Sequence, residues 1–321
     1  MGTVKAYALR AGKLSKVSLQ KAVKLRGLPG TALWVDIEDP SKSELHLLEK
    51  GFKFHHLAVE DAGNERQRSK VEEYDSFMFI VLRVFQKGEC EATQLNLFVD
   101  GNLLVTTHFK CIEGIEEVAR ELERNPAMLS RGPDFLAYQI IDLAVDSIFP
   151  HLEEIEDTLE DFETVMLKAT SPDEIAGTLG RFFEIKKKNL AIRKIAWPMR
   201  DVLTVLARRD YKYVRPENTV YFRDVYDHML RITDMTEMNR EVLSASMEAY
   251  LAVISNNLNV VMKKLAAIGG IFAAPLLVAG IYGMNTKMPI FDMDYGYLIA
   301  LGEMLLIATL MFLYFRMCKW L

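Results

Sequence analysis

Two long apolar runs at the C-terminal end constrain this chain more than any other feature. Leu265 to Met284 is 20 residues without a charge, and Tyr295 to Phe315 is 21 residues with one, Glu303. A helix needs about 20 apolar residues to cross the hydrocarbon core, so both runs predict transmembrane helices. The flanking charges set the orientation. Lys263 and Lys264 precede the first run, Arg316 and Lys319 follow the second, and the loop between them carries Lys287 against Asp292 and Asp294. Basic residues favour the cytoplasmic side, which predicts a cell (inner) membrane crossed twice, with both termini inside and the loop outside. Met1 to Gly12 is mixed and polar, without a signal-peptide pattern, so the residues ahead of the spans are expected in the cytosol. The net charge of -5 argues against a nucleic-acid partner. Cys90, Cys111 and Cys318 are scattered, without metal-ligand spacing, which suits a reducing compartment.

Residues 1–132 read as a cytosolic α/β domain. Val4 to Leu9, Ala32 to Ile37, Phe77 to Phe85, Leu95 to Val99 and Leu103 to Thr107 are short runs rich in β-branched and aromatic residues. Asp100-Gly101 between the last two is a hairpin signal, since a tight turn needs positive φ. Ser41 to Gly51 predicts a helix, with Ser41 as N-cap and Glu44 closing a capping box. Ile112 to Arg124 predicts another, ended by Asn125-Pro126. Residues 133–264 read as helical. One helix is expected from Asp134 to about Lys168, ended by the Ser171-Pro172 turn, and a second from Pro172 to about Arg209, with Pro198 as a candidate kink. A third starts near Pro216. From Glu217 to Gly283 it would hold 67 residues, about 100 Å at about 1.5 Å per residue. So long a helix needs neighbours over its apolar stripe, which argues for a bundle or an oligomer. Residues 265–321 form the membrane domain.

The first span has a face of small residues: Ala266, Gly269, Ala273, Gly280, and Gly283 or Met284. Close helix packing explains such a stripe. So does a pore, where small side chains leave room for a hydrated ion. Toward the cytosol the stripe continues through Met262 and Asn259 to Glu248. Asn259 reads either as a solvated helix residue or as a polar group for an ion's water shell, which suits Mg²⁺ because that ion dehydrates reluctantly. Glu248 reads either as a surface carboxylate or as a means of concentrating cations. Asn285 ends the span, where a ring of its carbonyls beside an exposed Gly283 backbone would hold a hydrated cation. Seven acids crowd Glu153 to Glu163, and Lys186, Lys187 and Lys188 follow. That run reads first as a solvated face and second as a cation reservoir. Glu303 inside the second span is expected to face another helix or to be protonated. His55-His56 reads as structural, and no P-loop, nucleophile elbow, zincin or Cys-x-x-Cys motif points to an enzyme.

Tyr282-Gly283-Met284-Asn285, at the end of a very long helix and followed by one loop and one span, resembles the CorA family of magnesium transporters. Further points of resemblance are Leu57-Ala58-Val59-Glu60-Asp61, Lys70-Val71-Glu72 with Phe79-Ile80-Val81-Leu82, Trp197-Pro198, Tyr221 to Asn285, and Lys319-Trp320-Leu321. The resemblance implies a funnel-shaped homopentamer in membrane lipid. Each subunit would have an αβα cytosolic domain, a long stalk helix entering the first span, and an outer second span. It also implies roles. Gly283, Met284 and Asn285 fall on the selectivity motif, Asn259 on a lower polar ring, Met262 and Leu265 on the hydrophobic constriction, and Glu248 at the inner end of the pore. Asp61 and Asp224, with Glu60, match acids that hold regulatory Mg²⁺ between neighbouring subunits. The implied function is Mg²⁺ import, with Co²⁺ or Ni²⁺ as further ions, closed by cytosolic Mg²⁺. The alternatives are a zinc or other transition-metal transporter of the same superfamily and a non-conducting, cation-binding membrane scaffold. The chain departs from the family at Met288-Pro289-Ile290, where an acid often follows the proline, at Ala273, where relatives can have a bulky residue, and at Glu303.

Overall fold

The computed structural model describes residues 3–86, 91–166, 172–208, 212–285, 290 and 293–321, with the side chains of 163–166 and 172–176 left aside. The chain divides into two compact units, residues 1–243 and 244–321. In the first unit, β1 (Val4–Arg10) and β2 (Lys13–Lys16) form a hairpin, followed by α1 (Leu19–Leu25), β3 (Thr31–Glu38), α2 (Lys42–Lys50) and α3 (His56–Ala62). Then come β4 (Lys70–Tyr74), β5 (Phe77–Phe85), β6 (Ala92–Val99) and β7 (Leu103–His108). The seven strands form one sheet in the order β2-β1-β3-β7-β6-β5-β4, antiparallel except where β3 runs parallel to β7. Both edges are short, charged strands, Lys-Leu-Ser-Lys in β2 and Lys-Val-Glu-Glu-Tyr in β4.

Alternation along the strands explains the layering. Leu33, Val35, Ile37, Phe79, Val81, Leu103 and Val105 share a core with Ala22 of α1, Leu48 of α2 and Ala58 and Ala62 of α3. The opposite face carries Trp34, Asp36, Thr106 and His108 and meets the helices that follow: α4 (Glu113–Arg124), α5 (Ala127–Ser130) and α6 (Pro133–Asp146). A sheet covered on both faces reads as nearly continuous apolar sequence, as β5 and β6 do. Four polar groups on this second face are tied together. Trp34 Nε1 donates to Thr106 Oγ1 at 3.1 Å, and that hydroxyl donates to Asp36 Oδ1 at 2.5 Å. His108 places Nδ1 2.7 Å from the Lys110 carbonyl and Nε2 3.2 Å from Asp36. Both neighbours are acceptors, an arrangement that favours the imidazolium, which can donate from both ring nitrogens. Burial opposes that charge, but the hydrogen bond and charge of Asp36 outweigh it, and the His108 pKa is raised.

The expected capping box is present: Ser41 accepts from the Glu44 amide, and Glu44 accepts from the Ser41 amide at 2.7 Å. The hairpin at Asp100-Gly101 joins β6 and β7. The helix expected from Asp134 to about Lys168 is two helices, α6 and α7 (Phe149–Met166), separated at Ser147-Ile148. The cause is Pro150, which has no N–H for the Asp146 carbonyl and whose ring crowds it. Lys168 and Ser171 lie outside the described residues. A helix α8 (Pro172–Arg208) contains Pro198, and α9 (Thr219–Tyr282) follows a short 3₁₀ turn at Pro216–Asn218. The last helix is α10 (Gly296–Met317). The acid run lies on α7, where Lys188 of α8 pairs with Glu154 at 2.6 Å on the solvent side.

Candidate functional site

The second unit is built around the outer part of α9 and α10. Both helices have the length and hydropathy of membrane spans, and almost none of either span is buried. Phe272, Leu276, Leu277 and Leu305 are at least 70% exposed in a single chain, an apolar surface that only lipid or further copies can cover. Gly270 marks where the two helices touch. A Cβ built there would lie 3.2 Å from the Phe315 ring and 3.3 Å from Met311 Cε. Gly269 and Gly280, on the small-residue face, have open space instead. Glu248, Asn259, Met262, Leu265, Ala266, Ala273, Gly283, Met284 and Asn285 are all exposed in a single chain. The side chains expected to line a pore are therefore left uncovered, as is nearly all of the span. Helical hydrogen bonding persists through the first motif residues: Gly283 N–H donates to the Ala279 carbonyl at 2.9 Å and Met284 N–H to that of Ile281 at 3.2 Å. Met288 and Pro289 lie outside the described residues. At the far end of α10, Lys319 takes φ 57°, Trp320 N–H donates to the Phe315 carbonyl, and the two rings stack 5.5 Å apart. This is a Schellman cap with its apolar contact, the physical content of Lys319-Trp320-Leu321.

A second candidate site lies in the first unit, where α6 meets the start of α9. Asp134 is 2% exposed and accepts from the Arg215 amide at 2.9 Å and from Asn218 Nδ2 at 2.7 Å, which ties the two helix starts together. Phe135 meets Tyr221 edge-on at 5.3 Å. Seven residues further along each helix, about two turns, stand Asp142 and His228. His228 Nδ1 is 3.6 Å from Asp142 Oδ1 and 3.4 Å from Asp146 Oδ1. These three side chains are the one group among the described residues whose ligand atoms converge closely enough to share a metal ion. Asp142 Oδ1 and His228 Nδ1 are buried without a hydrogen-bond partner. Burial and the charge of Asp146, eased by His228, push the Asp142 pKa up from 3.8 to about 6. Asp224, one turn before His228, adds to that field. Acids that repel one another beside an imidazole ligand are what a divalent cation would relieve.

Asp61 and Glu60 lie on α3. Asp61 accepts from Lys70 Nζ at 2.6 Å and from Gln67 Nε2 at 2.7 Å, and Glu60 and Asp224 are exposed. Lys70 also holds Glu72 at 2.7 Å. Burial works against the Lys70 ammonium, yet the two carboxylates raise its pKa, so Asp61 already has a resident cation.

A family profile described as CorA-like Mg2+ transporter protein matches residues 30–317. The chain belongs to the CorA family. The cobalt/magnesium transport protein CorA of Thermotoga maritima is 34% identical over 298 residues, covering 91% of this chain and 84% of the relative. The CorA magnesium transporter of Methanocaldococcus jannaschii has a solved structure of TM-score 0.83 at 26% identity, over 99% of this chain and 98% of that one. The full-length CmaX protein, 20% identical at TM-score 0.76, shares the fold. As in CorA, an N-terminal α/β domain precedes a long helix and two C-terminal membrane helices, so this chain has the CorA fold and membrane topology. Asp142, Asp146 and His228 form a candidate site that sequence reasoning missed. The available signal was two acids four residues apart on one helix and an Asp and a His four apart on another.

Proposed function

We propose that this CorA chain is the subunit of a homopentameric magnesium channel that imports Mg²⁺ across the cell membrane, with Co²⁺ as a second ion. The observation that carries the reading is the exposed face of α9 ending in Gly283-Met284-Asn285, in a chain whose family profile and relatives are named for magnesium and cobalt transport. Five such faces around an axis would give a ring of Asn285 at the mouth, Ala273 in the middle, Leu265 and Met262 at the constriction, and Asn259 and Glu248 toward the cytosol. Asn rings suit a cation that keeps its water shell. The path carries no His or Cys, which disfavours a soft metal such as zinc. Each charge crossing 100 mV gains about 2.3 kcal/mol, so a divalent ion needs no other drive.

Regulation on this reading belongs to the acids of the first unit. Cytosolic Mg²⁺ held among Asp61, Glu60 and Asp224 across a subunit boundary, in place of the Lys70 ammonium at Asp61, favours the closed ring, and Asp142, Asp146 and His228 extend that site. Loss of the cation leaves like charges facing one another, which drives subunits apart and biases a two-state gate. Mg²⁺ flux into proteoliposomes, parent against Asn285→Ala, is the test. Flux lost in an equally assembled variant supports the filter. Flux kept in the variant removes Asn285 from it. A silent parent, under low internal Mg²⁺ and an inside-negative potential, ends the magnesium reading in favour of the scaffold or another ion.

A further inference from the structure

Glu303 is the one charge within the two apolar runs, and the channel reading gives it no task. It is the eighth residue of α10, about 10 Å along the axis from the helix start. A carboxylate at that depth persists only with a partner. Its partner is Tyr282, whose hydroxyl donates to Glu303 Oε2 at 2.6 Å. The contact follows from helix geometry. The helices run antiparallel, since Gly270, well before the end of α9, meets Phe315 near the end of α10. Side chains slant toward the N-terminus of their own helix. Tyr282 thus leans back into the membrane from the last turn of α9, and Glu303 leans out toward the loop. Residues at different depths meet between the spans.

Tyr282 is the last residue before Gly283-Met284-Asn285. Fixing its ring from the second span fixes the exit angle of the backbone that carries the filter. Gly283 next to it has no side chain to hold that angle by packing. Resting on the magnesium-channel reading, we propose that Glu303 is a positioning residue for the filter. Through Tyr282 it sets the geometry in which Asn285 meets the hydrated cation, without touching the ion itself. A tie that only joined the two spans would affect assembly and stability. A positioning residue affects the concentration at which the filter half-saturates and its preference between Mg²⁺ and Co²⁺.

The test is the concentration dependence of Mg²⁺ and Co²⁺ flux in proteoliposomes, on variants first matched for oligomer size. Glu303→Gln keeps an oxygen that accepts from the Tyr282 hydroxyl, and its half-saturation is expected within about twofold of the parent. Glu303→Leu and Tyr282→Phe each remove the bond and are expected to raise half-saturation about three- to tenfold, the range one hydrogen bond spans. The double variant is expected to match the worse single one, because both remove the same contact. Half-saturation unchanged in Glu303→Leu, or effects that multiply in the double variant, overturns the proposal. Should Glu303→Leu fail to assemble, Tyr282→Phe, which loses only an oxygen, decides alone. A parent that carries no Mg²⁺ removes the channel reading and this inference with it, whereas a conducting parent with indifferent variants removes this inference only.

Discussion

Replacing Asp142 with asparagine should stabilise the cation-free protein and blunt its response to Mg²⁺. The rise of the Asp142 pKa from 3.8 to about 6 corresponds to about 3 kcal/mol of strain on the ionised form. The side chain is 27% exposed, and solvent screening reduces this to about 1–2 kcal/mol. A carboxyl with a raised folded-state pKa stabilises the fold only while protonated. That contribution is complete below about 3.8 and is lost as pH climbs through about 6, so near neutral pH and above the parent lacks it. The amide of the variant carries no charge, and the loss disappears. In a unit of 243 residues, 1–2 kcal/mol corresponds to roughly 2–8 °C in Tm. Mg²⁺ at about a hundred times its Kd would raise the parent by about 2.7 kcal/mol, and the variant, short of one anionic ligand, should gain less than half of that. Thermal unfolding of the detergent-solubilised chain, in chelator and in Mg²⁺, reads both effects, with buried Trp34 as one reporter. An Asp142→Asn variant that melts at or below the parent in chelator, or gains the full Mg²⁺ shift, would refute the reasoning.

Other perturbations test separate parts of the fold. Because the His108 pKa is raised, the ion pair with Asp36 contributes fully below about pH 6.5 and is lost as pH rises through the folded-state value. The parent should therefore melt lower in mildly alkaline buffer than in mildly acidic buffer, and His108→Gln should flatten that dependence. Gly270→Leu should push α9 from α10 at Phe315 and Met311 at a cost of about 1–3 kcal/mol, seen as a smaller assembled fraction in light scattering, with Gly270→Ala much milder. Ser41→Ala should remove the α2 cap and lower Tm by roughly 2–4 °C, a loss of about 1 kcal/mol.

The elements that were legible in the sequence are those whose signals are local. Ser41 and Glu44 define a cap within one helical turn, Asp100-Gly101 defines a hairpin, and the spans declare themselves by length. The edge strands β2 and β4 were missed as strands because Lys13, Lys16, Glu72 and Glu73 break the apolar pattern. The division between α6 and α7 was also written locally, in Pro150, but an otherwise helical pattern masked it. The cluster of Asp142, Asp146 and His228 was not legible, because its halves lie far apart in sequence. What joins them is the clamp of Asp134 on Arg215 and Asn218 and the contact of Phe135 with Tyr221, a product of packing. The Tyr282–Glu303 bond likewise depends on how two helices face each other.

The charged edges of the sheet bear on a hazard specific to self-assembling proteins. A subunit that works in company is concentrated against its own copies from synthesis onward, and an open strand edge would invite them to pair in the wrong way. In β2 and β4 short length and charge make that pairing unfavourable at both ends of the sheet. Substituting Glu72 and Glu73 with valine should leave the fold intact yet open one edge of the sheet to pairing with other copies, seen as larger, ill-defined species in light scattering.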